Sequence, residues 1–285
     1  MKAEPRFLRQ SKEFWAHVRT ISQEIGYTNR RDKTILVPTL DQIREAFAAL
    51  SLSTAQIEDA HGRPTKFGAA LLDYFQWRAN TLNGQVRRNL MDKQQAKREF
   101  DRLKRQLKPN CPLPMNKQKG DKRTPMYLTG IVNMLVEATI GTAPCDYDPR
   151  GLTTLTHDRM PLRTLSRRVD GSFPSVTNPV AIWEVKEYYS TKTFGSRVAD
   201  GVYETMLDGL ELEELEHSTG RKVQHVLFVD DEYTWWQCGR SYLCRILDML
   251  HMGYVDEVIF GREALERLPV VAKSWLAAWK SATGA

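Results

Sequence analysis

The amino-acid sequence predicts an α/β protein in which a mixed central sheet is flanked by helices and preceded by an all-helical N-terminal domain. Three observations carry this prediction. From residue 7 to about residue 108, apolar side chains recur at three- and four-residue spacing, the period of amphipathic helices. Between Lys108 and Pro125, prolines, a glycine and basic residues break every period. Beyond Pro125, short β-type runs alternate with helical ones, the pattern of an α/β layer structure. The expected division is a basic helical domain over residues 1–110, a linker over 111–125 and a second domain over 126–285.

In the first domain FLRQSKEFWAHVRTI, LDQIREAFAAL, FGAALLDYFQWRANTL and VRRNLMDKQQAKREFDRLKRQL each read as a helix. Thr39 and Thr65 stand where the second and third of these need N-caps. The fourth is nearly saturated with Arg and Lys on its polar face. In the second domain Met126 to Gly141 reads as one buried helix, and β-type segments follow at Leu152 to Thr156 and Leu162 to Asp170. Pro179 to Tyr189 is a strand and Ser196 to Glu216 an amphipathic helix. Val223 to Asp231 is a buried strand with exposed acids expected at its end, RSYLCRILDMLHMG a helix ending at Gly253, and VDEVIF a last short strand.

Composition narrows the function. With 41% hydrophobic and 27% charged residues among 285, the chain reads as an ordinary globular protein. No run approaches the roughly 18 to 20 apolar residues of a membrane span. MKAEPRFLRQSKEFW lacks the apolar stretch of a secretory signal, so a cytoplasmic location is expected. Cys111, Cys145, Cys238 and Cys244 form no C-x-x-C pair and no histidines stand at H-x3-H spacing, which argues against a zinc module and a disulfide framework. No glycine-rich phosphate loop is present, which disfavours a nucleotide-dependent small-molecule enzyme or a methyltransferase. Charge is polarised: residues 1–120 hold 23 Lys or Arg against 12 Asp or Glu, whereas residues 121–285 hold 18 against 23. A basic half suited to a polyanion is joined to a half whose carboxylates serve another purpose, metal ions among them.

The strand PVAIWEVKEYY concentrates the chemistry. Alternation puts Val180, Ile182, Glu184 and Lys186 on one face, and this is the only place in the chain where an acid stands two residues before a lysine. Desolvating both charges costs several kcal/mol that their attraction need not recover, so stability alone is a poor reason for the pair. Upstream, Asp170 ends a short β-type run and is followed by Gly171; the residues between Asp170 and Glu184 suffice for a hairpin that sets the acids side by side. Two adjacent carboxylates resist joint ionisation unless a divalent cation lies between them, and magnesium prefers such oxygen sites. Given a phosphodiester there, Asp170 and Glu184 would hold the metal with the Val185 carbonyl as a further ligand, and Lys186 would stabilise the phosphate or orient the attacking water. Asp158 in THDRM rivals Asp170, and a half-exposed cross-strand ion pair is the competing reading of Glu184 and Lys186.

Asp170 with Glu184-Val185-Lys186 and the surrounding order of elements resembles the PD-(D/E)xK nuclease superfamily, which includes most type II restriction endonucleases. The resemblance spans residues 126 to about 230 and implies a restriction-endonuclease-like core, with Val169 standing where the motif has proline. Many members add a glutamate from the first core helix, and Glu137 matches that position as a catalytic residue. What the resemblance implies is a prokaryotic, Mg²⁺-dependent, sequence-specific endonuclease for double-stranded DNA, acting as a homodimer because a palindromic site has two strands to cut. A cognate methyltransferase would protect the same site without forming a stable complex. The alternatives are a structure- or modification-dependent repair or defence nuclease of the same superfamily, or a non-catalytic DNA-binding protein. For the grip on DNA, Lys192, Thr193, Ser196 and Arg197 stand at a helix start, where free N–H groups favour phosphate. Arg87 and Arg88 lie with Arg98, Arg102 and Arg105 on the basic helix, and Asn83, Gln85 and Arg87 are possible base readers. The acids Asp200, Glu204, Asp208 and Glu211 read as a solvated helix face or a dimer surface.

Overall fold

A computed structural model describes residues 1–8, 10–29, 31–116, 124–189 and 195–284. In chain order the elements are α1 (Pro5–Leu8), α2 (Lys12–Ile25), β1 (Thr28–Asn29), β2 (Thr34–Ile35), α3 (Leu40–Ala49), α4 (Lys66–Thr81), α5 (Arg87–Asn89), α6 (Lys93–Leu107) and α7 (Tyr127–Ile140). They continue as β3 (Thr154–His157), β4 (Met160–Thr164), β5 (Gly171–Phe173), β6 (Ala181–Glu187), α8 (Ser196–Thr219), β7 (Gln224–Asp230), α9 (Arg240–Met252), β8 (Glu257–Phe260) and α10 (Ala264–Thr283). The main sheet runs β5-β6-β7-β8, with β5 antiparallel to β6 and the other two pairs parallel. This is a mixed α/β protein, as expected.

Side-chain alternation along β6 decides what each sheet face meets. Ala181, Trp183 and Val185 enter an apolar core with α7 and α10, whereas Ile182 joins Leu155, Leu165, Val169, Leu212, Leu215 and Val223 on the other side, beneath α8. Glu184 and Lys186 follow Ile182 on that second face. The Trp183 indole is stacked on Trp275 at 5.3 Å between ring centroids. On its other side lies Gly171, where an added Cβ would come within 2.1 Å of the indole. Gly171 therefore does not make a turn; its missing side chain lets the strand carrying Asp170 close on β6. Gly171→Ala is expected to destabilise the fold by about 1–3 kcal/mol through overpacking, read from the midpoint of chemical denaturation.

Thr39 and Thr65 cap α3 and α4, Thr39 in a capping box with Gln42. The basic fourth helix, in contrast, is broken. Leu90 leaves the helical conformation and Asp92 starts α6 anew, accepting from Gln95 N–H while the Gln95 side chain accepts from Asp92 N–H. Helix α6 then packs through Ala96, Phe100 and Leu103 on α7, inside the core that α7 and α10 form with β6. Gly130 makes that contact close: a Cβ there would lie 2.4 Å from the Phe100 ring. The helical series is thus interrupted at Leu90, whose side chain, with Ala79, Leu82 and Val86, shares one buried core with Leu227, Val229 and Leu243. The described part of the expected linker is itself packed: Cys111 is buried, the Pro112 carbonyl accepts from Asn133, and Met126 N–H donates to the Pro114 carbonyl. Among the described residues no helix is long and apolar enough to cross a membrane.

Candidate active site

The hairpin of β5 and β6 brings together the acids expected to meet. Its register pairs Gly171 with Trp183, which sets Asp170 beside Glu184 one step further. Asp170 N–H donates to the Trp183 carbonyl at 3.1 Å, and Val185 N–H donates to Asp170 Oδ2 at 2.8 Å. Strand β5 pairs only with residues 181–183, so among the described residues the remainder of β6 has no strand on that edge. A residue's N–H and C=O point to the same edge of a strand, and the Val185 carbonyl therefore faces the side where Asp170 lies. Asp170 precedes β5 and does not end a run from Leu162, because the strand that holds Leu162 pairs with β3 and ends at Thr164. Asp158 sits in the tight turn of that hairpin at φ 49°, with an exposed side chain facing His157, and is no rival for the site.

Glu184 is fully buried and Lys186 is 8% exposed. Lys186 Nζ donates to Glu184 Oε2 at 2.8 Å and to Glu204 Oε2 at 3.0 Å. Arg167, from the loop between β4 and β5, reaches Glu184 at 3.0 Å, Asp208 at 2.6 Å and Glu204 at 3.3 Å. The centre thus holds four carboxylates, Asp170, Glu184, Glu204 and Asp208, with two cations between them. Burial pushes the Asp170 carboxyl up to about 7, with the Glu184 charge adding to the effect and Lys186 opposing it. Burial likewise lifts Asp208 to about 7 against the pull of Arg167. For Glu184 burial acts upward too, but Lys186 and Arg167 hold it below the ordinary carboxylate range. Desolvation alone would lower Lys186, and the Glu184 and Asp170 charges reverse this and raise it. The lysine keeps its proton.

Arg167, Glu204 and Asp208 were not singled out for this centre from the sequence. The acids of α8 were expected in solvent or at a dimer surface, yet Glu204, Asp208 and Glu211 face the β4–β5 loop, and Asp208 is fully buried. Glu211 accepts from Arg163 and from Ser166 N–H, which docks the loop on the helix. The sequence carries only a partial signal: positions 204, 208 and 211 follow one helical stripe and RTLSRR supplies three arginines upstream, but neither fixes that the two meet.

Glu137 is not brought to this centre. It lies near the end of α7, on the opposite face of the sheet from Glu184, and both its oxygens accept from Asn110 N–H at 3.2 and 3.0 Å. Its partner is a backbone group of the segment between α6 and α7. The acids ending β7 are not exposed either. Asp230 is fully buried, accepting from Met91 N–H at 2.7 Å, from Asp231 N–H and from Tyr189, and burial lifts its carboxyl to about 8 against those bonds. It pins the junction of the two parts to the sheet.

Of the residues expected to grip DNA, Arg87 and Arg88 lie in α5, separated by the break at Leu90 from Arg98, Arg102 and Arg105. Arg87 stacks over Trp236 at 5.2 Å, and Arg88 Nε donates to the Gly84 carbonyl. Asn83 Oδ1 accepts from Ile35 N–H, which commits that side chain to the fold. Arg197 is exposed in the first turn of α8, which begins at Ser196, and its carbonyl accepts from Tyr188. Lys192 and Thr193 lie outside the described residues. Among the described residues no three His, Cys, Asp or Glu side chains converge on one point as a ready metal cage; Arg167 stands between Glu184 and Asp208 instead.

Fold and site define a mixed α/β protein whose polar centre, four carboxylates with a lysine and an arginine, is built on β6, the loop leading into β5 and helix α8. The chain belongs to a family described as a domain of unknown function (DUF7687), matched over residues 91–275. Residues 1–85 match a second family, a domain of unknown function (DUF7690). No curated protein and no solved structure matches the chain.

Proposed function

We propose that the protein is a Mg²⁺-dependent endonuclease for double-stranded DNA, acting through Asp170, Glu184 and Lys186 in a restriction-endonuclease-like core, and that it cuts at specific sequences as a type II enzyme does. One observation carries the reading: Asp170 and Glu184 stand side by side in the register of the hairpin, where no strand among the described residues covers that edge of β6, with Lys186 buried one strand step beyond. The succession of α7, the β5–β6 hairpin, α8 and parallel β7 agrees with the superfamily's core order.

The chemistry of the donor oxygens supports a magnesium ion. Glu184 Oε1 and Asp208 Oδ1 are buried without a hydrogen-bond donor, although Arg167 lies 3.0 Å from the former. An anionic oxygen in that condition is stabilised by a cation. Asp170, Glu184 and the Val185 carbonyl form the hard oxygen set that magnesium takes. Bound there, magnesium polarises the phosphoryl group and makes water more acidic. Lys186 directs a permanent positive charge to where the phosphate gains negative charge in the transition state, and a buried site strengthens that interaction. Arg197 at the start of α8, with Lys192, Thr193 and Ser196 beside it in the chain, and Arg87 and Arg88 on α5 supply cations for DNA phosphates. Cutting both strands calls for two copies of the centre, hence a homodimer.

The experiment is incubation of the purified protein with unmethylated phage and plasmid DNA, with Mg²⁺ and with EDTA. Discrete fragments that appear only with Mg²⁺ are expected. Binding without cleavage across unmethylated and modified DNA would overturn the reading.

A further inference from the structure

A cleft of about 670 Å³ lies between α2 with the loop after α3 on one side and α8 with α9 on the other. Clefts of roughly 300–1,000 Å³ take small organic ligands. It is separate from the acidic centre: Val202, Tyr203 and Met206 line it from a different face of α8 than the one carrying Glu204, Asp208 and Glu211. Arg245 of α9 is half-buried in its wall. Nη1 donates to the Tyr203 hydroxyl at 2.8 Å, and the guanidinium lies 5.3 and 5.1 Å from the Tyr27 and Tyr242 rings. Those three tyrosines are its electrostatic neighbours, and among the described residues no carboxylate pairs with it. Arg78, Arg163, Arg167 and Arg267 are also buried or half-buried, and each of them holds an acid. Ring faces attract a cation but leave most of its five donors free. Arg19 of α2 adds a second cation to the cleft, with Met252 Sδ, a weak acceptor, at 3.4 Å. The acids nearby do not cancel the two: Asp248 is taken by Arg78 and Tyr74, and Glu24 stands exposed. Leu50, Leu52 and Tyr203 are 41%, 47% and 49% exposed at the same cleft, so an apolar body seated there would cover surface that water now wets.

We propose that this cleft binds a flat organic anion with the chemistry of a mononucleotide, its phosphate on Arg245 and Arg19 and its ring against Tyr203, Leu50 and Leu52. A guanidinium held by stacking is preorganised for the two-pronged hydrogen bonding that a phosphate accepts. Thr20 and Gln23, on the same wall, supply a hydroxyl and an amide for the edge of the ring. A free mononucleotide and the 5′-phosphorylated end of a strand present the same group. Residues of both families line the cleft, so an occupant ties α2 to α8 and α9. The site does not depend on the nuclease reading.

AMP and adenosine, titrated separately into the full chain by calorimetry without metal or DNA, test the site. One AMP per chain is expected, with adenosine bound about 10-fold more weakly or worse, the loss of charge-assisted hydrogen bonds. Arg245→Gln should weaken AMP by a similar factor and Arg245→Lys by less. Leu52→Glu, which sets an acid at an exposed position of the cleft, should weaken it too. A thermal readout guards against poor folding: AMP raises the Tm of the wild type and of Arg245→Lys by more than that of Arg245→Gln. A 5′-phosphorylated oligothymidylate separates the two sources, since displacement of AMP by it assigns a strand end and failure to displace assigns the free nucleotide. Equal AMP affinity in wild type, Arg245→Gln and Leu52→Glu, equal affinity for AMP and adenosine, or a wild type that binds no AMP would overturn the proposal. The two readings fail separately, because a wild type that cuts DNA and binds no AMP keeps the nuclease and removes this site.

Discussion

Lys186→Met is expected to lower DNA cleavage by about 10²–10³-fold, the cost of removing one preorganised charge from a transition state, while DNA binding is retained. Methionine keeps the stem that lies along Gly201, where an added Cβ would come within 3.2 Å of Lys186 Cδ. The strand carbonyl that accepts from Trp235 Nε1 is also unchanged. What is lost is the ammonium between Glu184 and Glu204. Adding Glu184→Gln separates catalysis from stability. Replacing a buried ion pair by uncharged residues of similar volume is often neutral or stabilising, so Glu184→Gln/Lys186→Met should melt no lower than the wild type and cut no DNA. Cleavage rates and thermal melts on the same preparations check both halves. A double variant that melts far below the wild type would make the pair a structural feature and take away its catalytic assignment.

Glu184, Lys186 and Asp170 were legible because the information is local. A strand's period of two fixes which side chains share a face, and the distance between Asp170 and Glu184 fixes that a hairpin can join them. The caps at Thr39 and Thr65 were local in the same sense. The other half of the centre was not legible, because it depends on how α8 lies across the sheet. Acids at 204, 208 and 211 make the same stripe whether they face water or a loop, and only the packing of Leu212 and Leu215 against Ile182 turns them toward Arg167. Glu137 failed for a related reason: an acid in an apolar helix needs a partner, but the helix does not say whether that partner is a metal or Asn110 N–H. Asp92 with Gln95 was a readable capping box, run over by a helical period that continues on both sides of it. Helix α10 was not anticipated, since Pro269 interrupts a pattern that otherwise reads as helical.

Asp248→Ala is expected to destabilise the protein by about 3–5 kcal/mol, the cost of stranding one member of a buried ion pair. Arg78 of α4 is 1% exposed and donates to both oxygens of Asp248 on α9, at 3.0 and 3.1 Å, and to Ser22 Oγ. Tyr74 donates to the same carboxylate at 2.6 Å, and the rings of Tyr27, Tyr74 and Phe75 lie within 5.8 Å of the guanidinium. Removing the carboxylate leaves a cation among aromatic faces that attract it but cannot replace an anion. Arg78→Met/Asp248→Leu, which removes both charges, should recover most of the loss, and a double-mutant cycle on chemical denaturation measures the coupling. The pair joins residues 1–85 to residues 91–275, each with its own family. Cooperative unfolding of the wild type in one transition, replaced by two in Asp248→Ala, would identify the pair as the lock between them. The consequence reaches the proposed function: α4 continues through a π-helical turn into α5, which carries Arg87 and Arg88. A loosened lock would let those cations drift relative to Lys186. Asp248→Ala should then weaken DNA binding with a smaller effect on cleavage of DNA already bound, a division between affinity and turnover opposite to that of Lys186→Met.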